Sequence, residues 1–97
     1  MDKIKSFDDY FSINESFEDI INSKNYRRDV GFTKIIIKNN ILSITHGGNM
    51  GDSIERSVDP NLEMIGFPTI EELKKKYEVI EEEGSPDYFW SIEFKIK

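Results

Sequence analysis

The only histidine of the chain, His46, stands directly before Gly47-Gly48 and close in sequence to Asp52. An imidazole beside a glycine run and a carboxylate can act as a general base or a metal ligand. A typical transition-metal site, however, draws three or four ligands from His, Cys and carboxylates, and the chain has no second histidine and no cysteine. Carboxylates are plentiful, as in Asp8-Asp9 or Asp52 with Glu55. Acid–base catalysis needs two carboxyls whose surroundings separate their pKa values, and no pair in the sequence is set apart in that way. Asn49, Asp52 and Glu55 are oxygen ligands near glycine but lack EF-hand spacing. The sequence therefore predicts no catalytic residue, no cofactor and no metal.

The glycines themselves lead to the same expectation. Gly47-Gly48-Asn49-Met50-Gly51 lacks the lysine and hydroxyl of a phosphate loop, so it reads as a flexible connection. His46-Gly47-Gly48 resembles the oxyanion loop of some α/β-hydrolases over three residues only. The Gly-x-Ser-x-Gly elbow of that fold is missing, and 97 residues are too few to build it.

What stands out instead is electrostatic. Between Tyr77 and Lys95 lie Glu78, Glu81, Glu82, Glu83, Asp87 and Glu93 without one Lys or Arg, so this stretch carries six negative charges and equals the formal net charge of −6. Tyr88, Phe89 and Trp90 follow the acids directly. Strand alternation buries Trp90 with Tyr88, or else Phe89, on one face, which leaves at least one aromatic exposed or half exposed. Carboxylates that speed encounter beside an aromatic that supplies buried contact suit docking on a basic protein. The residues expected to bind such a partner are Glu78, Glu81, Glu82, Glu83, Asp87, Tyr88 and Phe89. The same glutamates also suit a second role, as gatekeepers that keep a hydrophobic sheet edge from pairing with other chains.

Several elements must position these residues. Ser12 and Glu15 form a capping box, and Ile13, Phe17, Ile20 and Ile21 recur at helical spacing, which predicts a helix over 13–23. Residues 32–46 read as a hairpin around Asn39-Asn40, since both asparagines tolerate positive φ. With Lys38 facing Ile41, Ile37 faces Leu42 and Ile35 faces Ile44, so all four apolar side chains share one face. His46 falls on that same face by parity, which favours packing over the core rather than catalysis. The segment 47–67 is punctuated by glycines and Asp59-Pro60, with part of it able to pair as an edge strand. Thr69 and Glu72 form a second capping box ahead of Ile70, Leu73 and Tyr77, with Lys74, Lys75 and Lys76 exposed. Residues 78–82 read as a strand in preference to a continued helix, because three glutamates would crowd the negative end of the dipole. Trp90, Ile92, Phe94 and Ile96 alternate with polar residues and define the last strand.

Composition bounds the rest. A chain of 97 residues with 37% apolar residues sustains one core, hence a single domain over 1–97. The absence of cysteine fits a reducing cytoplasm, and no apolar run is long enough to cross a bilayer. A pI near 4.8 disfavours direct nucleic-acid binding, which draws its affinity from Lys and Arg. The expected fold is α+β: an antiparallel sheet of about four strands with two helices on one face. The expected function is that of a small acidic cytoplasmic inhibitor of a basic protein, an immunity or antitoxin-type protein neutralising a toxin such as a nuclease. One alternative is a phage-encoded inhibitor of a host defence protein. Another, of a different class, is a small ligand-binding or enzymatic domain using the loop from His46 to Asp52.

Overall fold

A computed structural model describes residues 16–47, 53–84 and 88–97. Its centre is a five-stranded antiparallel sheet, one strand more than expected. The strands are β1 (Asn25–Val30), β2 (Thr33–Lys38), β3 (Ile41–His46), β4 (Glu78–Gly84) and β5 (Trp90–Lys95). They lie in the order β1-β2-β3-β5-β4, so β1 and β4 are the edges.

The β2–β3 hairpin forms as its sequence predicts. Asn39 and Asn40 adopt φ of 54° and 65°, the left-handed pair that a two-residue turn of matching twist requires. Lys38 pairs Ile41, Ile37 pairs Leu42 and Ile35 pairs Ile44. Ile35, Ile37, Leu42 and Ile44 are all buried, each contributing roughly 1.5–3 kcal/mol on leaving water. β5 continues the same face with Trp90, Ile92 and Phe94, all buried, against His46, Ile44 and Leu42 of β3.

β1 is the unforeseen strand. Gly31, at φ 60°, and Phe32 make a two-residue turn that pairs Val30 with Thr33. Positive φ at the first turn position alone is the pattern of a type II′ hairpin, which favours glycine there. Tyr26, Arg28 and Val30 point to the core side and are half-buried, while Asn25, Arg27 and Asp29 point away.

The helical layer consists, among the described residues, of four short helices rather than two. In α1 (Phe17–Ile21), Ser16 is the N-cap and its Oγ accepts from the Asp19 amide at 3.2 Å. The expected cap at Ser12 and Glu15 lies outside the described residues, and the helix ends at Ile21 rather than at 23. Where it is described, the stretch expected to hold an edge strand contains two short helices instead. Ile54–Ser57 forms α2 and Asp59–Met64 forms α3, with Val58 and Leu62 fully buried one turn apart. Pro60 occupies the start of α3, where a missing amide hydrogen costs nothing. The last helix, α4 (Ile70–Lys76), carries the expected Thr69–Glu72 capping box, buries Ile70 and Leu73, and exposes its lysines. The Ile70 amide donates to Asp59 Oδ1 at 2.9 Å, tying α4 to α3. Buried residues of α1, α3 and α4 join those of the sheet in one hydrophobic cluster, with Ile54 of α2 packed against it. The fold is α+β, with its described helices on one face of the sheet.

Candidate protein-interaction surface

β4 carries the acids, and a single irregularity decides where they point. Val79 pairs Phe94 on the core side, the register then shifts at Ile80, and Glu81 pairs Glu93 while Glu82 pairs Ile92. Simple alternation from Val79 would have turned Glu81 and Glu83 toward the core. A β-bulge inserts one residue and reverses the parity beyond it. Glu81 and Glu83 therefore lie on the open face with Glu93, and Glu78 lies there opposite Lys95. Ile80, the inserted residue, is 47% exposed.

The acids crowd one another on that face. A hydrogen bond shared with Glu83 and that neighbour's negative charge hold the Glu81 carboxyl above its usual range, with a smaller contribution from Glu93. Ser43 Oγ reaches Glu93 Oε2 at 3.5 Å.

Glu82 behaves differently because the bulge turns it inward. Its Oε2 accepts from the indole Nε1–H of buried Trp90 at 3.0 Å, and its Oε1 lies 3.1 Å from Lys74 Nζ on α4. The indole hydrogen bond first, and the lysine second, hold its carboxyl below the usual range. Both oxygens of Glu82 are thus engaged within the chain, and the residue clamps α4 to the β4–β5 pair. Asp87 lies outside the described residues.

Alternation would place Tyr88 on the buried face with Trp90, but β5 begins at Trp90, and both Tyr88 and Phe89 precede it and are exposed. Trp90 is buried, while Tyr88 is 80% exposed and Phe89 50% exposed. Gly84, at φ 94°, passes so close to the Phe89 backbone that a Cβ there would collide with its carbonyl, so β4 sets the position of Phe89.

Sequence reasoning missed a third aromatic at the same end of the sheet. Phe32, at the β1–β2 turn, is 69% exposed. With Phe89, Gly31, Lys34, Thr45 and Gly47 it lines a cavity of about 350 Å³. The signal was present in Gly31-Phe32, a two-residue turn that puts a large apolar ring at a loop tip.

His46 is turned away from this cavity, on the core face opposite Trp90. It is only 6% exposed and sits 2.6 Å from Thr33 Oγ1 through Nδ1. Asn61 Nδ2 donates to the same Thr33 oxygen at 2.8 Å and to the Ser57 carbonyl at 3.3 Å. A carbonyl can only accept, which fixes the Asn61 amide with nitrogen toward Thr33. The Thr33 hydroxyl, with one proton and a second lone pair, can donate to a bare Nδ1 or accept from Nδ1–H. Burial lowers the His46 pKa and so favours the neutral ring. Among the described residues no group of three His, Cys, Asp or Glu stands close enough to hold a metal ion. None of the helices there is long and apolar enough to cross a membrane.

Comparison with protein-family models, with curated proteins and with solved structures returns no match to this chain. What the fold and surface define is an α+β domain that presents acids and exposed aromatics from one sheet edge.

Proposed function

We propose that this domain is a cytoplasmic inhibitor that binds a basic protein, of the immunity or antitoxin type, and covers the phosphate-binding site of a toxin such as a nuclease. One observation carries the reading: Tyr88 and Phe89 are exposed beside a strand whose Glu81 and Glu83 project together from the open face. Exposed aromatics supply binding energy once water is excluded, and clustered carboxylates attract a surface that must be positive to hold phosphate. The chain's net charge of −6 acts in the same direction.

Affinity purification from the native host, followed by association kinetics on the partner recovered, tests this. A stoichiometric basic partner is expected, whose activity the domain suppresses. Replacing Glu81 and Glu83 with lysine should slow association and flatten its salt dependence, whereas Phe89→Ala should hasten dissociation. Unaltered association in the charge-reversed variant would leave the acids as gatekeepers of the β4 edge and remove the reason for naming an inhibitor.

A second reading, a ligand-binding domain, is favoured by the cavity between Phe32 and Phe89, which abuts Gly47. It predicts a small molecule copurifying with the chain in place of a protein.

A further inference from the structure

The open face of the sheet has a charge pattern that strand order and register together define. Side chains on this face fall into three rows across the strands. One row runs Asn25, Lys38, Ile41, Lys95 and Glu78; the next Arg27, Ile36, Ser43, Glu93 and Glu81; the third Asp29, Lys34, Thr45, Ser91 and Glu83. None of these residues is buried, and no described helix covers them. The β1–β2 half bears Arg27, Lys34 and Lys38 against Asp29, a net of +2. The β5–β4 half bears Glu78, Glu81, Glu83 and Glu93 against Lys95, a net of −3. Between them stand Ile36, Ile41, Ser43 and Thr45, all half-buried. Among the described residues the one ion pair on this face is Arg27 with Asp29, 3.9 Å apart and well exposed, so the two halves do not neutralise each other within the chain.

We infer that this face binds a second copy of the same chain, in a symmetric dimer whose two-fold axis runs along β3. A face-to-face pair of sheets admits two-fold axes only in the plane between them. An axis across the strands sets each strand on its own copy, Arg27 on Arg27's level of β1 and acid strand on acid strand, and charge opposes it. An axis along β3 exchanges the two sides of the sheet. The β1–β2 half of each copy then covers the β5–β4 half of the other, +2 against −3, twice. Arg27 meets Glu81 of the second copy, Lys34 comes between its Glu93 and Glu83, and the isoleucines near the axis lose water. Lys38 against Lys95 and Asp29 against Glu83 are the like-charged encounters, outnumbered in the sum.

The footprint limits the strength. Five strands about 4.8 Å apart and six residues long at about 3.3 Å each cover roughly 24 by 20 Å. That falls short of the ~800 Å² per partner of a standard stable interface. The dimer is accordingly reversible and sensitive to salt, as an association held by exposed charge must be. It does not rest on the inhibitor reading, because the purified chain alone tests it, and failure here leaves that reading standing.

Sedimentation across a concentration series, at low and high salt, is the measurement. The native chain should dimerise at low salt and dissociate at high salt. Arg27→Glu with Lys34→Glu, and separately Glu81→Lys with Glu83→Lys, should each raise the dissociation constant at least about tenfold. Mixing the two variants should restore a one-to-one complex, since each now supplies the sign the other lacks. Circular dichroism checks that both variants fold. The axis is read by crosslinking, which a chain without cysteine makes clean. An Asn25→Cys chain should join a Glu78→Cys chain through a short bismaleimide and should not join itself. A chain that stays monomeric at every concentration, a dimer indifferent to both reversals, or variants that fail to combine would overturn the inference. Self-joining of the Asn25→Cys chain would overturn the axis.

Discussion

His46 shows how a residue type that suggests chemistry is held by its neighbours in a structural role. Thr33 Oγ1, which accepts from Asn61, stands 2.6 Å from Nδ1 in a buried site that favours a neutral imidazole. Protonation would place a positive charge in a site that burial has taken out of water. Because burial depresses the folded pKa, the unfolded chain binds the proton more readily. The stability from neutral His46 is present in full above the unfolded value of about 6.5 and is lost as pH falls through the lower folded value. Thermal melts from neutral pH down to about pH 5 should show a falling midpoint in the native chain and a flatter profile in His46→Leu. A native profile without slope in that window would contradict the lowering of the His46 pKa by burial. Glu82 has the opposite signature. Its carboxyl is depressed by Trp90 and Lys74, so its contribution holds above about pH 4.3 and disappears as pH falls through the lower folded value. Glu82→Gln keeps an acceptor for the indole and should cost under about 1 kcal/mol, the size of a partly exposed ion pair. Glu82→Leu abandons the indole N–H and should cost about 1–3 kcal/mol in chemical denaturation.

Among the elements, the bulge at Ile80 does the most to set the surface. Deleting Ile80, the inserted residue, leaves Val79 opposite Phe94 and Glu81 opposite Glu93 in an unbroken ladder, so Glu81 and Glu83 keep the open face and Glu82 its place beside Trp90. The deletion should therefore fold with nearly native stability, and Ile80→Ala, at a site 47% exposed, should likewise change the melting midpoint little. A deletion variant that unfolds, or in which β4 detaches, would contradict the assignment of Ile80 as the inserted residue. The same bulge explains why the inward turn of Glu82 was not legible in the sequence: an inserted residue in Val79-Ile80-Glu81 has no signature of its own. The β2–β3 hairpin was legible to the register, because Asn39-Asn40 and the parity of Ile35, Ile37, Leu42 and Ile44 agree. β1 was hidden by Arg28, which takes a core-side position on an edge strand where its charged end can still reach water. The helices over 54–64 were hidden because Asp59-Pro60 reads as a breaker when interior and as a start when first. Exposure of Phe89 followed from alternation with Trp90, that of Tyr88 did not, because β5 begins only at Trp90, and exposure of Phe32 depended on recognising the Gly31 turn.

Over the whole molecule, strand order matters more than any one contact. β1, β2 and β3 form a meander joined by two-residue turns, and β4 pairs β5. Both units close locally, whereas β3 meets β5 only across the intervening helices, so closing that ladder carries the larger loop entropy. Trp90, the only tryptophan, stands on β5 at that seam, opposite His46 on one side and Gly84 on the other. The molecule therefore carries its own optical reporter of the joining of its two halves. Indole emission shifts to the blue when the ring leaves water, which here requires β5 to lie against β3 beneath the helices. In stopped-flow refolding the emission change should coincide with the slowest phase seen in far-ultraviolet circular dichroism, and emission that ran ahead of it would mean that β5 finds its place before the sheet is whole.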